Sequence, residues 1–398
     1  MQSLLQYSTI RLLHTPIDFI RYLYHQINWN DRLIGITGAR GTGKTTLMLQ
    51  AIKLRFENSD TALYVSLDDF YFTRQRLFQL GEDFFKNGGR HLFVDEVHKY
   101  PDWAADIKSL HDIYRELNIV FSGSSALQLH RAGADLSRRA AMYHLHELSF
   151  REFLNLSLGE NYEPLSLENI LHRHTAIVPG LIKGKSILPL FREYLQKGVY
   201  PFYIDAAGQF YDRLINTINV IIENDLPVIE NISFETAWKL RKLIAFIADS
   251  PPMKVNISEL SRKSGLSRDG LLRLLHSLDR ANLITAIRQT GAPTGYLTKP
   301  DKIYLNNTAL LYALNSQNED ISGTARETFF VNQCSLNHKL NVAPAGDFIV
   351  DDSITFEVGG KSKTKKQIAG LKNAFIAADD LEIGFSIRIP LWLFGFLY

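Results

Sequence analysis

The sequence has one cysteine, Cys334, in 398 residues. A single thiol excludes a disulfide within the chain and is typical of proteins in reducing compartments. Apolar residues make up 45% of the chain, yet no run reaches the roughly 18 apolar residues that a membrane helix requires. The first residues show no cationic segment followed by an apolar core and a cleavage site. We therefore expect a cytoplasmic protein without a membrane segment.

An excess of charge of one sign is also lacking, since 44 Lys and Arg stand against 42 Asp and Glu, for a net charge of +2. The net charge therefore gives no argument for nucleic acid or a membrane surface, and such a partner has to be argued from local clusters. A chain of this length is too long for one ordinary hydrophobic core. We expect two or three domains.

A glycine-rich turn within residues 33–47 has the spacing G-x-x-x-x-G-K-T. The apolar stretch before it predicts a strand, and the stretch after it predicts a helix. Glycines in such a loop let backbone N–H groups and the helix N-terminus point at a phosphate. We expect Lys44 to reach the β- and γ-phosphates of ATP, and the Thr45 hydroxyl to bind Mg²⁺. The predicted cradle consists of Gly38, Ala39, Arg40, Gly41, Thr42, Gly43, Lys44, Thr45 and Thr46.

Two acids, Asp95 and Glu96, end a predicted apolar strand that begins at His91. A further predicted strand at 61–67 lies between them and Lys44, so both motifs can lie side by side in one parallel sheet. Asp95 is then placed to hold the water shell of Mg²⁺, and Glu96 to polarise the attacking water. The alternative is two solvated acids at a strand end.

The next predicted strand, 119–121, leads into Ser122 and Ser124. Ligands of parallel sheets bind at the carboxyl ends of strands, so one of these serines is a candidate sensor of the γ-phosphate. Capping of the following helix is the alternative. Arg138 and Arg139 precede a last predicted strand at 143–148. An arginine here is a candidate finger on the nucleotide of a neighbouring subunit, or else an ordinary surface ion-pair residue.

Together these motifs resemble those of the AAA-type ATPases of bacteria and archaea that carry a C-terminal restriction-endonuclease-like domain. The resemblance rests on G-x-x-x-x-G-K-T-T, the strand ending in Asp-Glu, the strand ending in S-G-S-S, the Leu-Ser-Arg-Arg element at 136–139 and Leu-Ser-Phe-Arg-Glu-Phe at 148–153. It implies an α/β fold of the P-loop NTPase class with an AAA-like parallel sheet, and hydrolysis of ATP. It also implies Arg139 as the finger, with Arg138 in place of the family's glycine.

We divide the chain into four predicted segments: an ATPase domain at 1–158, a helical connector at 159–231, a winged helix-turn-helix at 232–320 and a small α/β nuclease-like domain at 321–398. Helical spacing also predicts a helix over 16–29 that lines an adenine pocket or packs in the core. The stretch 159–185 contains prolines and glycines and predicts a loop.

Residues 256–305 predict two helices that meet at Gly265, the second capped by Ser267, and a wing that turns at 291–295. Eight Lys and Arg against four Asp and Glu give this segment a net charge of +4, twice that of the whole chain. Duplex DNA is therefore a candidate partner, with Arg268 and Arg273 on the helix that would enter the major groove. A structural or protein-binding module is the alternative.

The last segment predicts short strands at 340–343, 348–350 and 354–358, helices at 324–337 and 363–377, a strand at 381–388 and a buried terminal strand at 389–398. Asp347, Glu357 and Lys361 stand where a restriction-endonuclease-like core has its metal ligands and lysine. Such enzymes need acid-x-lysine, because the lysine must lie beside the acid on one face of a strand. Gly359 occupies that lysine position. We therefore predict that this domain does not cut DNA.

The whole sequence predicts an ATPase that uses ATP and Mg²⁺ to switch conformation, with duplex DNA and a second copy of the chain as candidate partners. A DNA-binding regulator that holds ATP with little turnover is one alternative. A nuclease licensed by ATP is the other, and the Glu-Val-Gly sequence at 357–359 counts against it. Measurement of ATP turnover with and without DNA separates the first two.

Overall fold

The computed structural model describes residues 1–56, 59–123, 136, 138–206, 208–227, 232–250, 255–291, 298–315 and 320–398. It has two compact units, Met1–Glu147 and Leu148–Tyr398. The division into four segments stays a prediction, although residues 148–158 of the predicted ATPase domain lie in the second unit. The candidate sensor Ser124 and residues 292–295 of the predicted wing turn are outside the described residues.

The first unit contains a five-stranded parallel sheet. Its strands are β1 Leu33–Thr37, β2 Ala62–Ser66, β3 His91–Asp95, β4 Asn118–Gly123 and β5 Ala141–His144. Their spatial order is β2-β3-β4-β1-β5, and every neighbouring pair is parallel. The carboxyl ends of parallel strands share one edge of the sheet. The glycine-rich loop after β1 and the acids that end β3 therefore lie at the same edge.

Helices cover both faces of this sheet. They are α1 Gln2–His14, α2 Leu23–Gln26, α3 Lys44–Arg55, α4 Leu77–Lys86 and α5 Trp103–Ile113. Side chains alternate along a strand, so Leu63 of β2 packs in the cluster that holds α4 and α5, whereas Tyr64 packs in the cluster that holds α3. The predicted helix over 16–29 is wrong in extent, because only Leu23–Gln26 is helical. Gln50 Nε2 instead hydrogen-bonds the backbone oxygens of Pro16 and Phe19, 2.9 Å from each.

The second unit begins with helices. They are α6 Phe150–Leu158, α7 Leu167–Ile182, α8 Ile187–Glu193, α9 Phe210–Val220 and α10 Phe234–Ala248. The predicted loop at 159–185 is wrong, because α7 occupies most of it. Ser166 caps α7 by accepting from the Asn169 N–H, and Ile170, His174 and Val178 bury one face at intervals of four residues. Pro179 lies in the last turn, where it removes one of the backbone donors of the helix.

The predicted two helices and hairpin strands of the winged-helix segment are present as elements. They are α11 Ile257–Ser264, α12 Arg268–Arg280, β6 Ile284–Ile287 and β7 Lys302–Leu305, followed by α13 Thr308–Leu314. Gly265 has a φ of 72° and ends α11, and Ser267 caps α12 by accepting from the Gly270 N–H. β6 and β7 are antiparallel.

The chain ends in a second five-stranded sheet packed on α14 Ser322–Cys334. Its strands are β8 Leu340–Val342, β9 Phe348–Val350, β10 Ile354–Gly359, β11 Ala374–Ala378 and β12 Arg388–Pro390, in the order β12-β11-β10-β9-β8. The predicted helix over 363–377 is wrong: β11 is buried along its length between two parallel neighbours, so burial overrides the helical preference of its alanines. The predicted strand over 381–388 is also wrong, since β12 starts at Arg388.

The predicted terminal strand at 389–398 is buried, as expected, but only its first two residues belong to β12. A 3₁₀-helix, Leu391–Phe396, follows. Its Phe396 and Trp392 pack against Phe150 of α6, with ring centroids 6.2 and 6.3 Å apart. Among the residues that the structure describes, none forms a helix with the length and apolarity needed to cross a membrane.

Candidate functional site

The loop between β1 and α3 has the backbone that a phosphate cradle needs. Gly38 and Gly43 have φ angles of 153° and 96°, a region that side chains disfavour. A Cβ atom at Gly38 would lie 2.3 Å from the backbone oxygen of Leu145, so only glycine fits at that position. Helix α3 starts at Lys44 without a side-chain cap, which leaves its first N–H groups for an anion. The loop therefore fits a phosphate group.

Lys44 folds back over this loop. Its Nζ donates to the backbone oxygens of Gly38 and Ala39, 2.8 Å from each, and the residue is 6% exposed. Ala39 also accepts a hydrogen bond of 2.9 Å from Thr42 Oγ1. These two carbonyl oxygens carry no net charge and do not themselves neutralise the ammonium group. The other predicted cradle residues, Arg40, Gly41 and Thr46, lie on the same loop and on the first turn of α3.

Asp95 is buried at the end of β3 and ties four parts of the first unit together. Thr45 Oγ1 donates to Asp95 Oδ2 over 2.5 Å, and the Tyr64 hydroxyl donates to the same oxygen over 2.9 Å. The Ser122 hydroxyl and the backbone N–H of Glu96 donate to Oδ1. The two predicted metal ligands, Thr45 and Asp95, are thus in direct contact. Their oxygens are the donor type that Mg²⁺ prefers, so these residues fit that ion.

Glu96 has a left-handed backbone, with φ 52° and ψ 40°. This conformation costs a non-glycine residue about 1–2 kcal/mol, a strain that clusters at functional sites. Glu96 Oε2 lies 3.3 Å from Nε2 of His98. Burial, together with neighbouring cations, lowers the pKa of His98 to about 3. At neutral pH the imidazole beside Glu96 is therefore uncharged and does not neutralise the carboxylate.

Arg21 connects the phosphate loop to the chain after β5. Its buried guanidinium donates to three backbone oxygens, those of Thr42, His146 and Glu147. The last two bonds are 2.7 and 3.1 Å long. Nearby, His144 Nδ1 lies 2.9 Å from Thr37 Oγ1 at the end of β1. Burial lowers the pKa of His144 to about 4, with the Lys44 charge adding to the shift. Arg21 therefore joins the loop to the chain after β5 through hydrogen bonds, and the neutral His144 lies close to the loop.

Four residues that contact this site were missed by sequence reasoning: Arg21, Tyr64, His98 and His144. Tyr64 carries a hydroxyl inside a strand that is otherwise apolar over 62–65, and that hydroxyl was the available signal. His98 follows the acid pair by two residues, which places it close to Glu96 in the chain. The contacts of Arg21 join positions up to 126 apart in the sequence, so no local pattern indicates them.

Ser122 is one of the two candidate sensors. Its hydroxyl donates a hydrogen bond to Asp95 Oδ1. It lies at the edge of the sheet where the phosphate loop lies, since Ser122 pairs with Ile36 at the end of β1. Its described contact is therefore with the predicted metal ligand. Sensing of a γ-phosphate by Ser122 remains a prediction.

Arg139 lies at the opposite edge of the sheet. Its Nε is 3.1 Å from Oδ1 of Asp112 near the end of α5. Arg32, which immediately precedes β1, donates to the backbone oxygens of His111 and Tyr114 on either side of Asp112. The Asp112–Arg139 pair is therefore at the edge where strands begin. An arginine there is remote from the phosphate loop of its own subunit, so a finger role for Arg139 requires a second subunit.

A second cluster of charged groups lies in the unit Leu148–Tyr398, around Glu357 of β10. Lys363 Nζ is 2.6 Å from Glu357 Oε1, and the Glu357 side chain is 0% exposed. Asp347 accepts a hydrogen bond of 2.8 Å from the backbone N–H of Val358. Burial raises the pKa of Glu357, although its contact with Lys363 acts in the opposite direction. We call these three residues, Asp347, Glu357 and Lys363, the acid–lysine cluster.

The prediction that no amine lies beside Glu357 is wrong. β10 ends at Gly359, and the Lys363 N–H bonds the backbone oxygen of Gly360 in a turn. A Cβ at Gly359 would lie 2.7 Å from Lys363 Cδ, so the absence of a side chain makes room for this lysine. Lys361, the predicted candidate, is exposed. Within the described ranges, no three His, Cys, Asp or Glu side chains are arranged to hold a metal ion.

Several basic residues of the segment 256–305 lie on its surface. Arg268 and Arg273 of α12 are exposed, as are Arg262 and Lys263 of α11. Lys263 pairs with Glu259 at 3.0 Å and sits 3.9 Å from the Phe246 ring centroid. The arrangement offers cations to an anionic partner. Contact with duplex DNA stays a prediction.

Comparison with known proteins gives two family matches. Residues 30–154 match the family model described as AAA domain, AAA_14. Residues 188–321 match a model described as a domain of unknown function, DUF8612. The first match covers the phosphate loop and both acids, and the sheet around them is parallel as that fold requires. Residues 30–154 therefore resemble an AAA domain, and their parallel α/β sheet supports a P-loop NTPase fold.

An archaeal protein also resembles most of the chain. It is the uncharacterized protein MJ1637 of Methanocaldococcus jannaschii, 25% identical over 393 residues that cover 90% of this chain and 82% of that protein. Among solved structures, AMPPCP-bound DnaA from Aquifex aeolicus has a TM-score of 0.28 and 15% identity, covering 64% of this chain and 83% of DnaA. C. elegans PCH-2 has a TM-score of 0.25 and 19% identity, covering 39% of this chain and 44% of PCH-2, less than half its length. These scores are too low to support an argument on function.

Proposed function

We propose that the chain binds ATP with Mg²⁺ at the phosphate loop and hydrolyses it. The observation that carries this proposal is the hydrogen bond between Thr45 Oγ1 and Asp95 Oδ2, which joins the loop to the acids over 2.5 Å. The chemistry that Mg²⁺ would supply there is positive charge, which offsets the negative charge that develops on the phosphates. Thr45 and Asp95 would hold the ion on the protein side, Asp95 through its water shell.

The other residues of the site then have defined tasks. Lys44 leaves the two carbonyl oxygens on which it rests and contacts phosphate oxygens. Glu96, next to uncharged His98, accepts a hydrogen bond from the attacking water and orients it. Hydrolysis releases the γ-phosphate, and the change in charge at the loop shifts the conformation of the chain around it.

The test is ATP turnover by the full chain, with and without duplex DNA. We expect wild type to hydrolyse ATP and Glu96→Gln to bind ATP with turnover lowered by about 10²-fold or more, because the amide cannot accept the water proton. Glu82→Gln, a glutamate on α4 outside the site, serves as the matched control. Undiminished turnover in Glu96→Gln removes Glu96 as the residue that orients water.

The arm with duplex DNA tests the proposed partner. Residues 256–305 present exposed cations, and contacts with phosphates would make the response to DNA weaken steeply as salt increases. A chain that binds ATP but shows negligible turnover in both arms would instead be a regulator that holds ATP. Equal turnover with and without DNA, at low and high salt, argues against DNA as the partner that stimulates hydrolysis.

The contact between Lys363 and Glu357 favours one second candidate, Mg²⁺-dependent cleavage of DNA. Against it, Glu357 is fully buried and paired, so its carboxylate is not offered to a metal. We therefore still expect no cleavage. Incubation of supercoiled DNA with the full chain and Mg²⁺ or Mn²⁺ tests this, and nicking that is lost in Glu357→Gln but kept in Lys44→Ala would establish the second candidate.

A further inference from the structure

Tyr64 is a buried residue of β2 whose hydroxyl forms a hydrogen bond with Asp95, a predicted metal ligand. The residue is 2% exposed, and its hydroxyl donates to Asp95 Oδ2 over 2.9 Å. Thr45 Oγ1 donates to the same oxygen, whereas the donors from Ser122 and Glu96 reach Oδ1. Tyr64 and Thr45 are therefore the two hydroxyls that share the side of Asp95 turned towards the phosphate loop.

These two hydroxyls differ in what happens to them when a metal binds. Thr45 would offer an oxygen lone pair to the ion and keep its proton for Asp95. Tyr64 lies on β2, apart from the phosphate loop, and keeps its hydrogen bond to Asp95 Oδ2.

The ring of Tyr64 is itself fixed by the first helix. The Tyr64 backbone N–H donates to Ser8 Oγ over 3.1 Å. The Arg11 guanidinium carbon lies 5.6 Å from the centroid of the Tyr64 ring, within the range of a cation–π contact. Helix α1 therefore contacts both the backbone and the ring of Tyr64.

We propose that Tyr64 is a positioning residue that orients Asp95 for Mg²⁺ and so sets the affinity of the nucleotide site for that ion. Residues that hydrogen-bond a metal ligand fix its orientation, and their removal typically weakens metal affinity about 10- to 100-fold. The inference rests on the proposed function, because it takes Mg²⁺ with nucleotide as the occupant of the site.

The test is equilibrium binding of a fluorescent, non-hydrolysable ATP analogue to the full chain, in EDTA and across a MgCl₂ titration. Tyr64→Phe removes only the hydroxyl. We expect its affinity in EDTA to equal that of wild type, whereas its Mg²⁺ midpoint rises about 10-fold. Tyr114→Phe is the matched control, since the Tyr114 hydroxyl donates to Glu82 over 2.6 Å and belongs to the same unit. Its affinity in EDTA and its Mg²⁺ midpoint stay at wild-type values.

Failure of the inference and failure of the proposed function give different results. If wild type does not bind the analogue in either condition, the proposed function fails. If wild type binds and Mg²⁺ tightens the complex, but Tyr64→Phe has the wild-type midpoint, the role of Tyr64 is overturned. A loss of affinity in EDTA by Tyr64→Phe also overturns it, because that outcome marks a general structural role.

A second variant covers the case in which Tyr64→Phe does not fold. Arg11→Gln keeps the Tyr64 hydroxyl and removes the cation beside its ring. The Mg²⁺ midpoint then rises by about two- to threefold, in line with the strength of a weak cation–π contact, and the affinity in EDTA is unchanged. An unchanged midpoint in Arg11→Gln decides against the inference in that case.

Discussion

Lys44 in the first unit and Lys363 in the second are both lysines in contact with a glycine-containing turn, yet their partners differ. Lys44 donates to two uncharged backbone oxygens. Lys363 contacts the carboxylate of Glu357. Backbone oxygens carry no net charge, whereas the carboxylate of Glu357 offsets the charge of Lys363.

The carboxylates differ in the same way. Asp95 accepts hydrogen bonds from Thr45, Tyr64, Ser122 and the Glu96 N–H, which are uncharged donors that leave its negative charge in place. The charge of Glu357 is matched by Lys363. These two buried acids thus offer different chemistry, and the difference lies in the charge of their partners. This is why we assign a cation site to the first unit and an ion pair of structural value to the second.

Arg139 is a third cation, and it differs from both lysines. It pairs with the carboxylate of Asp112 and is still a candidate for catalysis. Its partner Asp112 is 44% exposed, and exposed pairs contribute only about 0–1 kcal/mol. Arg139 can therefore leave Asp112 for the nucleotide of a second subunit. We expect Arg139→Ala to lower ATP turnover by about 10³-fold, with specific activity that rises with protein concentration in wild type.

Mixing of variants makes this measurement specific. Lys44→Ala has a defective cradle but an intact Arg139, and Arg139→Ala has the reverse, so a mixture of the two regains part of the activity. Arg115→Ala, a nearby exposed arginine, is the control and keeps wild-type turnover. Full activity of Arg139→Ala at every concentration contradicts the assignment, and a loss in Arg138→Ala instead transfers the role to its neighbour.

The two units also differ in how their stability responds to pH. Three histidines near the phosphate loop have lowered pKa values: about 3 for His98, about 4 for His144 and about 3 for His146, each mainly because of burial. The unfolded chain therefore binds more protons than the folded one below pH 6.5. Stability of the first unit is fully present above pH 6.5 and falls towards pH 4, by up to about 1.4 kcal/mol per pH unit for each histidine.

Glu357 of the second unit contributes to the pH dependence of stability with the opposite sign. Its pKa is raised by burial, so its own contribution to stability is largest at low pH and decreases as pH increases. Hydrogen exchange at pH 7, 6 and 5, corrected for intrinsic rates, compares peptides from β1 and β10. We expect β1 to lose protection first. His98→Gln reduces the pH slope of β1, and exposed His25→Gln leaves it unchanged. Equal slopes for wild type and His98→Gln contradict the prediction.

The phosphate loop could be read from the sequence because its requirements are local. The glycines, Lys44 and Thr45 follow each other in one turn, and the left-handed angles of Gly41 and Gly43 need glycine at those positions. The acids of β3 could be placed beside the loop because parallel strands end at one edge. Arg21 and Tyr64 could not, because their contacts depend on how distant segments pack.

The errors in the second unit have related causes. The stretch that forms β11 is rich in alanine, which favours a helix locally, but its position between β10 and β12 decides the outcome. The interpretation of Gly359 inferred the lysine position from the alternation of side chains along a continuing strand. The chain turns after Gly360 instead, and Lys363 reaches the acid from outside the strand.

Equilibrium binding of ATP to Lys44→Ala, with Lys363→Ala as the matched lysine variant, tests the central claim most directly. Removal of Lys44 takes away the positioned cation on the β- and γ-phosphates, so we expect affinity to fall by about 100-fold or more. Lys363→Ala removes a lysine that is already paired in the other unit, and its affinity for ATP stays at the wild-type value. Wild-type affinity in Lys44→Ala, or an equal loss in both variants, would contradict the assignment of the nucleotide site to the phosphate loop.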